Sequence, residues 1–171
     1  SHFGLTANDL SIYLPEKINK IKSLDIQYHD LGYYLKWHPQ NCYYYAVKHG
    51  GFIPSPERTV GTYSKYNSID DKIDDLHYYT TFIKFGFGRT TYDSAQEIRN
   101  SHINKEEGLA LIKKFDGEFP NKYFNEILEY IDLSKEEFFN IQDKFRPKHL
   151  WVKVNDVWKL RHTANKDGHD D

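Results

Sequence analysis

The residues from Phe85 to Arg99 hold two glycines, a threonine pair, two arginines and two acids, directly after an apolar-periodic segment. Such a run suits an element end that brings backbone N–H and cationic groups up to an anion. Gly86 and Gly88 permit positive φ or close backbone approach, and Arg89 offers a planar fork for phosphate or carboxylate. Asp93 stands one helical turn beyond Arg89, and Arg99 falls near the far end of the same short helix. The same letters also describe a helix C-cap followed by an Arg–Asp surface pair, and spacing alone does not separate the two. Arg58, Lys65 and Lys72 form a second cationic set in a Pro-anchored stretch, which reads as a ligand-contacting loop or as a solvated one.

Other chemistries find little support. The histidines form no His-Glu-x-x-His motif, no Cys-His pair has zinc spacing, and no Gly-x-Ser-x-Gly occurs. Asp70, Asp71, Asp74 and Asp75 read as a solvated helix start rather than a metal site, so no metal ligands are assigned. Cys42 sits beside an aromatic run and reads as packed rather than nucleophilic.

The 171 residues suffice for one domain and a small appendage. A formal charge of −2 gives no general case for nucleic acid or membrane partners, and no apolar run approaches a membrane span. Fourteen Tyr and eleven Phe suit half-buried surfaces, but Tyr43-Tyr44-Tyr45 and Tyr78-Tyr79 lack the interleaved cations of a base-stacking face. The chain holds no methionine, so Ser1 is expected to be a processed, tagged or truncated end, with truncation favoured.

The elements that must position these residues are mainly helical. A short helix is predicted over Glu16 to Lys22, a strand over Leu31 to Trp37, and a helix from about Pro39 to Lys48 ending at Gly50-Gly51. Residues 52–68 read as an ordered loop. Ser68 is then expected to cap a helix over Ile69 to Lys84, and Thr91 one running to Arg99. Asn104 with Glu107, and Ser134 with Glu137, match capping boxes, the latter with Leu133 and Phe138 as staple. Pro120 marks another helix start, followed by an apolar stripe through Tyr123, Phe124, Ile127, Leu128 and Ile131. Leu150–Val154 and Val157–Arg161 flank Asn155-Asp156 as a hairpin. The fold class is therefore mainly α, with one strand near 31–37 and a C-terminal β-hairpin. Residues 163–171 are expected to be a disordered tail.

Several blocks resemble the C-terminal half of bacterial N-acetyl sugar amidotransferases. They include Lys36-Trp37-His38-Pro39-Gln40, Pro56 to Tyr66, Ile69 to Asp74, His77 to Gly86, Gly88-Arg89, Asp93, Glu97-Ile98-Arg99, Phe115 to Pro120 and Lys159 to His162. The likeness runs collinearly from about residue 30 to 162. It implies membership of the PP-loop ATP-pyrophosphatase group and a role in lipopolysaccharide O-antigen or pseudaminic acid synthesis, the latter serving flagellin glycosylation. The implied reaction turns an acetamido group into an acetamidino group: the amide oxygen attacks the α-phosphate of ATP, pyrophosphate leaves, and ammonia displaces AMP. ATP with Mg2+, a glutaminase subunit supplying ammonia, a nucleotide-sugar or nonulosonic acid substrate and a cytoplasmic site are implied as well.

The Ser-Gly-Gly-x-Asp-Ser loop of that group does not occur in these residues. On this resemblance residues 1–50 are the tail end of an α/β ATP-pyrophosphatase domain, with the strand at 31–37 at the edge of its sheet, and 51–162 are a helical C-terminal domain. ATP would then be bound mainly by an upstream half, and this chain alone should not catalyse the full reaction. No catalytic residue is assigned. Arg58, Lys65, Lys84, Arg89, Asp93 and Arg99 are the expected nucleotide- or sugar-binding residues, with Arg89 and Arg99 facing one concave site. Arg89→Ala would accordingly cut turnover with little loss of folding stability. A competing reading, from the aromatic content, is a non-catalytic helical module docking a partner through a tyrosine-rich surface.

Overall fold

The computed structural model describes residues 4–164; the tail expected over 163–171 lies, from residue 165 on, outside the described residues. The chain divides into two compact units, Ser1–His38 and Pro39–Asp171.

In the first unit a 3-10 turn at Ser11–Tyr13 precedes helix α1 (Ile18–Ser23) and the single turn α2 (Leu31–Tyr34). The strand expected over Leu31 to Trp37 is thus a helical turn instead. Leu31 and Leu35 stand one turn apart, and the Leu35 N–H donates to the Leu31 carbonyl at 2.9 Å. A β-strand exists only as part of a ladder with a neighbouring strand, and the described residues of this unit contain none. The helical turn satisfies that N–H locally.

The second unit holds α3 (Pro39–Gly50), α4 (Asp74–Phe85), α5 (Arg89–Arg99), α6 (Lys105–Phe115), α7 (Phe124–Tyr130), α8 (Lys135–Lys144) and a hairpin of β1 (Trp151–Val154) and β2 (Val157–Leu160). The strands pair antiparallel, Trp151 with Leu160 and Val154 with Val157, around Asn155 and Asp156. Both turn residues have positive φ, as a two-residue hairpin of the primed type requires. Both expected capping boxes form, Asn104 with Glu107 on α6 and Ser134 with Glu137 on α8.

Leu76, Phe124, Ile127, Leu128 and Phe138 make the core, with Tyr79, Phe119, Tyr123 and Leu133 packed against it. The staple pair Leu133 and Phe138 therefore reaches the same cluster. Trp151 ties the hairpin to α4: its indole N–H donates to the Ile83 carbonyl at 2.7 Å, and its ring meets Phe82 edge-on.

Two helix starts differ from expectation. Helix α4 begins at Asp74 rather than after Ser68, which has a left-handed φ of 49° and bonds the Tyr78 hydroxyl instead. Ile69 and Ile73 fit the helical count but remain partly exposed, while Leu76 and Ile83 are buried. The Asp71 carboxylate accepts from the Ile73 N–H, holding the chain just before the helix. Helix α5 begins at Arg89, with Gly88 rather than Thr91 at its N-cap. The Thr91 hydroxyl is used as a donor to Asp116, so it does not serve as a capping acceptor.

Candidate functional site

Helix α5 is turned inside out relative to an ordinary amphipathic helix. Its buried side carries Arg89, Thr90, Asp93, Ser94 and Glu97, while Tyr92 and Ile98 face outward. Buried polar groups need partners, and the 59–67 loop and flanking helices supply them for Thr90, Asp93 and Glu97, while the Ser94 hydroxyl and Arg89 Nε and Nη1 make no hydrogen bond among the described residues. The Thr62 hydroxyl donates to Asp93 Oδ2 and the Thr90 hydroxyl to the Gly61 carbonyl, both at 2.5 Å. Glu97 accepts from the Gln40 amide of α3 at 2.9 Å and lies 2.6 Å from His102 Nδ1.

Arg89 is 3% exposed and points into the protein. Its Nη2 donates to the Asn67 carbonyl at 2.7 Å, its guanidinium lies 4.5 Å from the Tyr78 ring centre, and Nη1 stands 3.8 Å from Asp75 Oδ1. At that separation the carboxylate is an ion-pair partner without a hydrogen bond. Burial pushes the Asp93 and Asp75 carboxyls above the ordinary carboxylate value, although the Arg89 charge pulls both the other way. The Tyr66 hydroxyl, stacked through its ring on Tyr43, is pushed up to about 12 by burial and then by Glu97 and Asp93.

The glycine-framed helix start does receive an anion, and it is the chain's own. Asp116 Oδ2 accepts from the Gly88 N–H at 2.9 Å, and Oδ1 from the Thr91 N–H at 3.1 Å. The Thr91 hydroxyl adds a third bond, at 2.5 Å. Gly88 is required by this approach, because a Cβ there would lie 2.7 Å from Asp116 Oδ1. A phosphate cannot share the position with that carboxylate, so these residues do not fit the triphosphate of ATP.

Arg58 closes the loop on a second carboxylate. Its two terminal nitrogens donate to the two oxygens of Glu118 at 2.7 Å each, and Glu118 also accepts from the Gly61 N–H. The pair holds the Glu118 carboxyl below its ordinary value of 4.5. A lowered carboxylate contributes stability at and above that value and loses it as pH falls through the lowered one. Glu118→Ala should therefore cost about 1 kcal/mol at neutral pH, the pair being part-exposed. Urea titrations at neutral and strongly acidic pH would check this, since the difference should vanish in acid.

The six residues singled out by sequence do not converge. Arg89, Asp93 and Arg58 gather around the 59–67 loop, whereas Lys65, Lys84 and Arg99 are exposed. Arg89 and Arg99 do not face one concave site, because Arg89 turns inward at the first residue of α5 and Arg99 is solvent-facing at its last. No hydrogen bond joins Arg89 to Asp93 among the described residues.

An open cleft of about 1120 Å3 is accessible to an external ligand, lined by residues 53–60, 68–72 and 121–123 together with Asp75. Its cations are Arg58, Lys72 and Lys122, and its acids are Glu57, Asp70, Asp71 and Asp75. Glu118 occupies Arg58 and Glu126 pairs with Lys72 at 2.6 Å, which leaves the lining acidic in balance. The Lys72 and Lys122 ammonium groups flank the Tyr123 ring at 5.3 and 5.0 Å from its centre. Such a cleft suits a ligand rich in hydroxyl and amide N–H donors better than a polyanion. Sequence reasoning treated Asp70 as a solvated helix start and gave Lys122 and Tyr123 no site role. The resemblance blocks Pro56 to Tyr66 and Ile69 to Asp74 contain much of the cleft lining, whereas Lys122 and Tyr123 lie just beyond the block that ends at Pro120.

Fold and site together define a mainly helical domain with an open cleft beside a buried polar network. Residues 60–164 match the family described as LPS biosynthesis protein WbpG-like, C-terminal domain, and the chain belongs to that family. No curated protein is similar enough to match. Among the described residues no helix is long and apolar enough to cross a membrane, and no group of three or more His, Cys, Asp or Glu side chains could hold a metal ion.

Proposed function

We propose that this chain is the C-terminal part of an ATP-dependent amidotransferase that converts the acetamido group of a bacterial surface sugar into an acetamidino group. In this reading the open cleft holds the sugar. The supporting observation is the family match over residues 60–164, which joins the chain to lipopolysaccharide biosynthesis. The cleft agrees in chemistry: Asp70, Asp71 and Glu57 can accept from sugar hydroxyls. ATP with Mg2+, and activation of the amide oxygen, belong to other residues of the complete enzyme. Ammonia comes from a glutaminase subunit, and the reading places the reaction in the cytoplasm. Arg89, Asp93 and Arg58 then act by fixing the loop that forms one cleft wall.

The test uses the complete enzyme with ATP, an N-acetylated nucleotide sugar and ammonium, following AMP and the acetamidine product. AMP release that requires the sugar supports the reading, and its absence with every bacterial acetamido sugar tried rejects it. Asp70 is exposed, and its carboxylate makes no hydrogen bond among the described residues. Asp70→Asn should raise KM for the sugar about tenfold, the worth of one charge-assisted hydrogen bond, with kcat and folding stability nearly unchanged. An unaltered KM would remove the cleft from the substrate's path.

A further inference from the structure

The face formed by the C-terminal ends of α4 and α8 carries two adjoining troughs, of about 400 and 580 Å3. They share Lys84, Phe85 and Phe145, so the two form one continuous groove. Its floor is aromatic and aliphatic: Phe85 and Phe87 are 50% exposed, Phe145 is 59% exposed, and Ile141 lies alongside. Large apolar side chains gathered on one rimmed surface mark a binding face rather than scattered exposure.

The charged groups on the rim have one sign. Lys84 and Lys144 line the groove and no carboxylate does, in a chain whose acids outnumber its lysines and arginines by 25 to 23. Asp143, the nearest acid along α8, is held by Arg146 at 3.2 Å. Helix dipoles account for a lysine in each last turn, since Lys84 and Lys144 sit at the carbonyl ends of α4 and α8. They do not account for the phenylalanines left half-open beside those lysines.

We infer that this groove docks an acidic amphipathic helix of a partner protein, its apolar stripe on Phe85, Phe87 and Phe145 and its carboxylates on Lys84 and Lys144. Helix-in-groove recognition uses this combination, with apolar anchors supplying affinity and rim charges setting orientation. The inference gives Lys84 a role distinct from sugar or nucleotide binding, and it stands independently of the cleft.

The experiment titrates the whole chain into fluorescein-labelled synthetic helices of about four turns, carrying Leu and Phe at i, i+3, i+4 and i+7 and Glu elsewhere. A matching peptide carries Lys in place of Glu. The acidic peptide should bind at low salt and weaken as salt rises, and the basic one should not bind. Lys84→Glu with Lys144→Glu should weaken the acidic peptide at least about tenfold and admit the basic one. Phe145→Ser should weaken the acidic peptide in the parent chain, with the circular dichroism melt of each variant as the folding control. Equal binding of the two peptides, or acidic-peptide binding indifferent to the lysine reversals, would overturn the inference. So would self-association abolished by Phe145→Ser with no peptide bound, which would make a second copy the occupant.

Discussion

Arg89→Ala is expected to lower the unfolding free energy by about 3–5 kcal/mol, the cost of breaking a buried ion pair from one side. The side chain is 2% exposed, and its removal takes away a hydrogen bond to the Asn67 carbonyl, a cation–π contact with Tyr78 and the positive charge beside Asp75. All three contacts join α5 to the 59–67 loop or to α4, so the loss should fall on tertiary structure and leave local helix propensity alone. Arg89→Met keeps most of the stem's packing and should cost less than Arg89→Ala, although both lose the positive charge beside Asp75. Denaturant titration of the parent and both variants checks the order. A loss below about 1 kcal/mol for Arg89→Ala would mean that desolvation of the guanidinium cancels its contacts, and its presence would then need a ligand-side reason. The expectation that this substitution spares folding stability is overturned by burial: any loss of turnover in the complete enzyme would carry a stability component.

Why sequence misread Arg89 has a physical answer. Types and spacing of Gly86, Gly88, Arg89 and Asp93 are those of an anion site, and the α5 start is indeed one. The anion, however, arrives from a different part of the chain, as Asp116, and local spacing carries no information about a contact 28 residues away. The inward polar stripe of α5 was hidden for the same reason, since Thr62, Asn67 and Gln40 meet it only after folding. Elements set by local chemistry were legible: both capping boxes, the staple at Leu133 and Phe138, the Asn155-Asp156 hairpin and the glycine stop after α4. The segment at Leu31 failed because aromatic and aliphatic residues in a short run suit either a strand or one helical turn, and only a partner strand would decide.

Gly117→Ala should be the most damaging single-methyl change in the chain. Gly117 has φ of 77°, a left-handed conformation that costs a residue with a Cβ about 1–2 kcal/mol. A Cβ built there would lie 2.5 Å from Phe82 Cε1 and 2.7 Å from Cζ. That ring is pinned edge-on against Trp151 and cannot yield without moving the hairpin, so overpacking adds about 1–3 kcal/mol. The position matters further because of its neighbours. Asp116, just before it, holds the start of α5, and Glu118, just after it, holds Arg58 and the Gly61 N–H. One left-handed residue therefore aims two carboxylates at two different anchors, and a shift at Gly117 loosens both. A total of about 3 kcal/mol or more is expected, with faster proteolysis within residues 55–67 as the local signature. Asp116→Asn gives the contrast: it keeps an acceptor for one N–H but loses the charge and one acceptor at the helix start, so its cost should stay near 1–2 kcal/mol. If Gly117→Ala cost no more than Asp116→Asn, the turn would not be what positions the two acids, and the loop would owe its order to its α5 contacts, Arg89 with Asn67, Thr90 with Gly61 and Asp93 with Thr62.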